Sequence, residues 1–351
     1  MPKLGLIAAG LVGMSVLAGA AHATPTTSFT LSGDIGAPGI YTGPTLQALP
    51  STTATVTYNA GGSAVTDTFT GPTIWTLLQA TGGITTDPAI KNDILRKYVI
   101  ATGSDGYKAV IAAGEIAPKF GHKSALVAYG DTLGNLPVPD GFARIVPGGD
   151  KAGGRYVSNL ADLHVGSAPA QTGTGGGTTT QFAVQGAVKN PLTDTLSTLQ
   201  ALTPHTETVT YMAGSTSVMD TYTGALLWDV LGSADILTDP AIKNDILRKL
   251  VIATGSDGYQ VAFSLGELSP NFGGEPILVA YADSLGQLTG ADGFARIVVP
   301  GDIAGGRYVS NLASLTVFDG TAVPEPASAL LLLAGLAGVA LLRRAPAAAE
   351  A

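Results

Sequence analysis

The chain contains no cysteine, so it has no disulfide to close its loops and no thiolate to offer a soft metal. Charge is scarce: Asp, Glu, Lys and Arg make up 13% of 351 residues, and the balance is −8. The lysines and arginines are scattered, and without a basic run nucleic acid is excluded as an expected partner. Histidine is nearly absent. His122, His164 and His205 recur at no equivalent position and lack a partner at ligand spacing, so no metal site is expected. No Gly-x-Ser-x-Gly elbow occurs, which removes the usual signature of a serine hydrolase. Glu115 and Glu267 are better read as helix-opening residues than as an opposed catalytic pair, so no catalytic residue is assigned. What is plentiful is Gly, Thr, Ala and Val, a composition suited to strands and tight turns.

Both ends carry apolar runs. Lys3 is the lone charge ahead of Leu4 to Ala18, and small residues lead to Ala21-His22-Ala23. That is the pattern of a secretory signal peptide over 1–23, cut between Ala23 and Thr24. No twin arginine precedes it, which points to export of the unfolded chain. At the other end Val323-Pro324-Glu325-Pro326 leads into the uncharged stretch 327–342, closed by Arg343-Arg344. Sixteen helical residues span about 24 Å, slightly short of a hydrocarbon core of about 30 Å. The mismatch is tolerable, and the arginines favour the cytoplasmic side. Residues 320–351 resemble the PEP-CTERM sorting signal of Gram-negative bacteria; an ordinary C-terminal anchor is the alternative. The resemblance implies the export machinery and an exosortase-type membrane peptidase as partners. It further implies transient anchoring in the inner membrane through 327–342, and delivery to the envelope, the cell surface or the medium.

Between these ends one domain is written twice. Thr86 to Lys97 recurs without change from Thr238 to Lys249, and Val99 to Tyr107 differs from Val251 to Tyr259 nowhere. Asp140 to Val146 matches Asp292 to Val298, and Gly153 to Leu160 matches Gly305 to Leu312. A period this long is a domain duplication and not a solenoid. The copies are placed at 24–165 and 181–319. The Gly/Thr-rich stretch 166–180 between them is expected to be a flexible linker, with a reach of roughly 20 Å.

Within a copy the pattern predicts mostly strands. Thr53 to Tyr58 alternates, and Asp105-Gly106 between two β-branched runs marks a hairpin. Further strands are predicted at 126–129, 142–146 and 163–165. Helices are predicted over 72–78, opened by Pro72, and over 89–95, capped by Asp87-Pro88. Trp75, Trp228, Tyr107 and Tyr259 are expected in the core. The fold class is α+β, mainly β.

The order of blocks carries a second resemblance. A Leu-Gln-Ala-Leu, a strand, a Tyr-Thr-Gly helix entry, an Asp-Gly-Tyr hairpin, Leu-Val-Ala-Tyr, Phe-Ala-Arg-Ile-Val and Gly-Gly-Arg-Tyr-Val-Ser-Asn-Leu follow one another twice. This resembles the molybdopterin-binding domain of the sulfite oxidase family, the SUOX fold. Enzymes of that family hold molybdenum through one cysteine, just after the strand matching Thr55 to Tyr58. Here those positions read Asn59 and Met212, and neither is a thiolate. The resemblance therefore implies a fold kept without its redox ligand, and no cofactor is expected. A molybdopterin-dependent oxidoreductase with an atypical or absent metal ligand is the alternative.

Arg144, Gly153, Gly154 and Arg155, with Arg296, Gly305, Gly306 and Arg307, are the candidate ligand- or anion-binding residues. Glycines let a backbone approach an anion closely, and an arginine can grip it with two prongs. The competing reading is a Gly-rich turn whose arginine pairs with Asp150 or Asp302. The expected function is an exported, non-enzymatic binding protein of the envelope or extracellular matrix, with envelope polysaccharide as a candidate partner.

Overall fold

The computed structural model describes residues 24–321. The expected signal peptide, the Pro-Glu-Pro motif and the apolar stretch 327–342 lie outside the described residues. Among the described residues no helix is long and apolar enough to cross a membrane.

The first copy holds strands β1 (Ser28–Gly33), β2 (Gly39–Thr42), β3 (Thr52–Ala60), β4 (Ser63–Gly71), β5 (Lys97–Gly103), β6 (Lys108–Ala112), β7 (Ala125–Ala128), β8 (Gly130–Asp131), β9 (Gly134–Asn135), β10 (Arg144–Pro147) and β11 (Leu160–Ser167). Its helices are short: α1 (Gly43–Gln47), α2 (Ile74–Ala80) and α3 (Ala113–Ile116). The second copy repeats the plan with β12 (Gln181–Gly186), β13 (Leu192–Thr195), β14 (His205–Ala213), β15 (Thr216–Leu226), β16 (Lys249–Gly255), β17 (Gln260–Ser264), β18 (Leu278–Asp283), β19 (Gly286–Gln287), β20 (Arg296–Val298) and β21 (Leu312–Asp319), and with α4 (Leu196–Ala201), α5 (Leu227–Ser233) and α6 (Leu265–Leu268).

Each copy has a five-stranded sheet, ordered β2-β1-β11-β5-β6 in the first and β13-β12-β21-β16-β17 in the second. All neighbours in it are antiparallel except β1 with β11 and β12 with β21. The parallel step needs Gly33, whose φ is +91°; a side chain there would meet the Val165 backbone. A second sheet is built on a long hairpin, β3-β4 or β14-β15. The alternation in β3 buries Val56 and Tyr58 and turns its threonines outward. There Thr55 pairs with Thr68 and Thr57 with Thr66, each at 2.8 Å across the strands.

The sequence-based helix over 89–95 forms only as a short 3-10 turn, Asp93–Arg96. Asn92 is left-handed at φ 54°, and Asp93 accepts the Asp87 N–H, so the chain turns where a helix would have to continue. The helix over 72–78 forms as α2, with Thr73 as its cap accepting from Thr76 N–H.

The two copies do not hang on a tether. β5 is buried on both faces, which is why Tyr98 to Ala101 is apolar without alternation. Val99 and Ala101 face the first copy's core. Tyr98, Ile100 and Val110 join Leu250, Ile252 and Ala262 of the second copy in a shared apolar layer. Leu95 is buried in the second copy's core and Leu247 in the first copy's, so each copy plugs the other.

The stretch 166–180, expected to be a free linker, is instead laid down. Ala168 is buried and donates its N–H to Arg96 O. Gly176 donates to Ser256 O, Ser256 Oγ donates to Gly177 O, and Thr179 donates to Asn311 Oδ1. Composition reported the chain's freedom when unfolded; these backbone hydrogen bonds remove it on folding.

Candidate functional site

The seam between the copies carries two equivalent clefts. The first, of about 560 Å3, is floored by Tyr58, Arg144, Gly153, Gly154 and Tyr156 of the first copy. Its far wall is Lys243, Asn244 and Phe272 of the second copy. The second, of about 820 Å3, has the counterparts Tyr211, Arg296, Gly305, Gly306 and Tyr308, walled by Lys91, Asn92, Lys119 and Phe120 of the first copy. Neither cleft is complete within one copy.

The same chemistry is built twice. At the inner end a tyrosine pair lies with ring centroids 4.3 Å apart, Tyr58 with Tyr156 and Tyr211 with Tyr308. The guanidinium of Arg144 sits 5.7 Å from the Tyr156 ring and that of Arg296 sits 5.6 Å from Tyr308. Each arginine is held from behind: Arg144 donates to Asp140 at 2.7 Å and Arg296 to Asp292 at 2.6 Å. Their Nε groups, and the Tyr156 hydroxyl, are buried without a partner.

At the outer wall Tyr107 donates to Gly154 O at 2.6 Å and accepts from Asn244 at 3.0 Å. Tyr259 does the same with Gly306 O at 2.6 Å and Asn92 at 2.9 Å. Lys243 lies over the Tyr107 ring and Lys91 over Tyr259. Burial holds the phenols of Tyr107, Tyr156, Tyr259 and Tyr308 above their ordinary value, so they remain neutral donors.

Of the sequence-based candidates, Arg144, Gly153, Gly154, Arg296, Gly305 and Gly306 line the clefts. Arg155 and Arg307 do not. Both are 1% exposed, and both point into the seam. Arg155 grips Asp150 at 2.9 and 2.5 Å and reaches Glu115 at 2.8 Å. Arg307 grips Asp302 at 2.9 and 2.6 Å and reaches Glu267 at 2.6 Å. The pairing with Asp150 and Asp302 is therefore present, and no guanidinium prong is left for an anion. Glu115 and Glu267, read as helix-opening residues, spend their carboxylates on these arginines. Tyr107 and Tyr259, expected in the core, are half-buried cleft walls.

Sequence reasoning missed Lys91, Asn92, Lys243 and Asn244. Their signal was the block 86–97, unchanged in both copies although much of it is exposed.

No family model matches the chain, and no curated protein matches it. Among solved structures, the sulfane dehydrogenase SoxCD from Paracoccus pantotrophus is similar, with a TM-score of 0.34 and 12% identity over 81% of this chain and 77% of that one. A likeness that loose transfers no chemistry.

At the two positions where the sulfite oxidase resemblance requires a thiolate for molybdenum, the side chains are an amide and a thioether. Asn59 lines the first cleft, but its Oδ1 accepts the Gly62 N–H at 2.8 Å. Met212, a thioether, lines the second. Among the described residues no three of His, Cys, Asp and Glu are placed to hold a metal ion. These residues do not fit the group, and no redox step is derived.

The buried ions of the seam predict a pH dependence. Burial raises the carboxyls of Glu267, Asp150 and Asp302, against the opposing pull of Arg307 and Arg155. Ser264 explains part of the Glu267 environment. Its hydroxyl lies 3.4 Å from Glu115 Oε2, whereas the equivalent position facing Glu267 is Ala112, and Glu267 Oε2 has no partner. A raised carboxyl binds its proton more readily folded than unfolded. Its contribution is complete below the unfolded values of 4.5 for Glu and 3.8 for Asp, and is lost as pH rises through the folded values. Lys123, lowered by burial against Glu115 and Glu267, acts oppositely at alkaline pH: stability rises as pH passes its folded value. For Asp34, burial is outweighed by Ser167 and Lys97, so its contribution fails only in acid. The melting temperature is expected to hold or rise from pH 8 to 5 and to fall below about pH 4. Glu267→Gln is expected to flatten the first part of that profile. A steady fall from pH 7 to 5 in the parent protein would contradict this reading.

Proposed function

We propose that this is an exported, non-enzymatic binding protein of the bacterial envelope or its matrix, and that its two clefts take segments of an anionic polysaccharide. The observation that carries the reading is the charge inside the clefts. The chain as a whole is at −8. Yet the larger cleft sets Lys91, Lys119 and Arg296 against Asp257, and the smaller sets Arg144 and Lys243 against Asp105. Tyrosine faces beside those cations suit sugar rings, which present apolar faces and polar edges. The unpartnered Nε groups and the Tyr156 hydroxyl favour a ligand that brings acceptors. Two clefts joined by a packed seam gain effective concentration on one polymer without a flexible tether. The terminal signals described above support export and sorting at the membrane.

Titration calorimetry of the mature chain against a polyuronate, with a neutral glucan as control, tests the proposal. Lys91→Ala with Lys243→Ala is expected to weaken polyuronate binding about tenfold, and added salt to weaken it further. Equal binding of the neutral glucan, or no effect of the double variant, would refute it.

A further inference from the structure

The buried ions of the seam are matched copy for copy, and one pair of equivalent positions beside them carries opposite charges. Positions 123 and 275 are equivalent, and their backbones make the same contact: Lys123 N–H donates to Glu115 O and Glu275 N–H to Glu267 O, each at 3.0 Å. The side chains differ in sign, and Lys123 Nζ forms an ion pair with Glu275 Oε1 across the seam. Residues near a pseudo-two-fold axis meet their own counterparts. The buried ions around this pair have like counterparts: Glu115 with Glu267, Arg155 with Arg307, Asp150 with Asp302.

We propose that Lys123 and Glu275 form a pairing code: the seam face of each repeat accepts the other repeat and discriminates against a second copy of itself. The argument is an exchange balance. Two mixed pairs can exchange into one pair of first repeats and one pair of second repeats. Glu115, Asp150 and Arg155 carry the same charges as their counterparts, so their contacts with positions 123 and 275 occur equally often before and after. Lys151, which lies beside Gly274 and has Ile303 as its counterpart, would meet His122 in a pair of first repeats and disfavours that pair as well. The mutual contact changes most directly. Two Lys–Glu contacts become one Lys–Lys and one Glu–Glu contact, both unfavourable. The side chains are only about a quarter exposed, at 25% and 23%, so water screens the difference incompletely. The outcome also fixes the clefts, since each takes its lysine wall from the other repeat. The proposal is independent of what ligand they take.

A protease site placed in the exposed segment 174–178 of the full chain allows cutting after folding. The cut protein is then unfolded, refolded and weighed by native mass spectrometry. Mixed pairs are expected to exceed their statistical share of one half by about fivefold relative to self-pairs. Lys123→Glu or Glu275→Lys alone should cut the excess sharply, and the two together should restore it. A statistical distribution for the parent, or an excess unchanged by a single reversal, overturns the proposal. Should the halves not refold, melting of the uncut chain decides. Each reversal is expected to lower the melting temperature by a few degrees, and the double reversal to recover most of the loss. A double variant that melts as low as the two losses summed overturns it equally.

Discussion

Arg155→Met is expected to lower the free energy of unfolding by about 3–5 kcal/mol, a fall in melting temperature of roughly 10 °C for a chain of this size. Among the described residues the guanidinium is the only cation hydrogen-bonded to Asp150 or to the Glu115 carboxylate, and all three side chains are at most 3% exposed. Removing it strands two buried carboxylates, and burial already disfavours the charged form of Asp150. Its stem adds to the loss, because Cδ packs against the space above Gly266, where a Cβ would come within 2.6 Å. Replacing Glu115 and Asp150 by Met and Leu in the same variant should recover more than half of the stability, since a well-packed apolar triad can replace a buried ionic one. Arg307→Met should behave alike through Asp302 and Glu267. Polyuronate affinity, measured where the variant is still folded, should change little, because neither arginine lines a cleft. Denaturant titration and calorimetry together check this. Lost binding with unchanged stability would return Arg155 to the ligand site.

The duplication, the hairpin and the mainly β class could be read from residues because each rests on pattern along the chain. β3 alternates, Asp105-Gly106 turns, and Pro72 opens a helix. The seam could not be read so directly, although it left traces. Tyr98 to Ala101 lacks the period-two alternation of a half-buried strand, and an apolar run without alternation calls for cover on both faces. The block 86–97 is invariant between the copies in residues that face outward, which a folding requirement within one copy does not explain. The fate of the Gly-Gly-Arg turns was harder. An anion cradle and an ion-paired turn use the same residues, and what separates them is Glu115, forty positions from Arg155 along the chain. No rule of short spacing reaches that far. Tyr107 was misplaced for a related reason: a hairpin position that faces inward in one copy faces the lysine of the other.

The two halves are expected to unfold as one unit, and Leu247→Ala is expected to show it. Leu247 belongs to the second repeat in sequence but to the first repeat in burial, with no exposed surface, and it touches the space above Gly154. Truncating it to alanine leaves a cavity the rigid seam cannot close, at a cost of about 2–5 kcal/mol. Leu95 is its counterpart in the second repeat's core. Because each core contains a residue of the other repeat, neither can lose its packing alone. The shared layer of Ile100, Val110, Leu250 and Ile252 would also have to be exposed to water by any half-unfolded state. Calorimetry of the parent should therefore give a single transition whose calorimetric and van't Hoff enthalpies agree. Hydrogen exchange of Leu247→Ala should quicken at Val99 to Ala101 and Leu163 to Val165, in the repeat that was not mutated. Two resolved transitions, with faster exchange confined to the second repeat, would mean that the copies fold separately and merely touch.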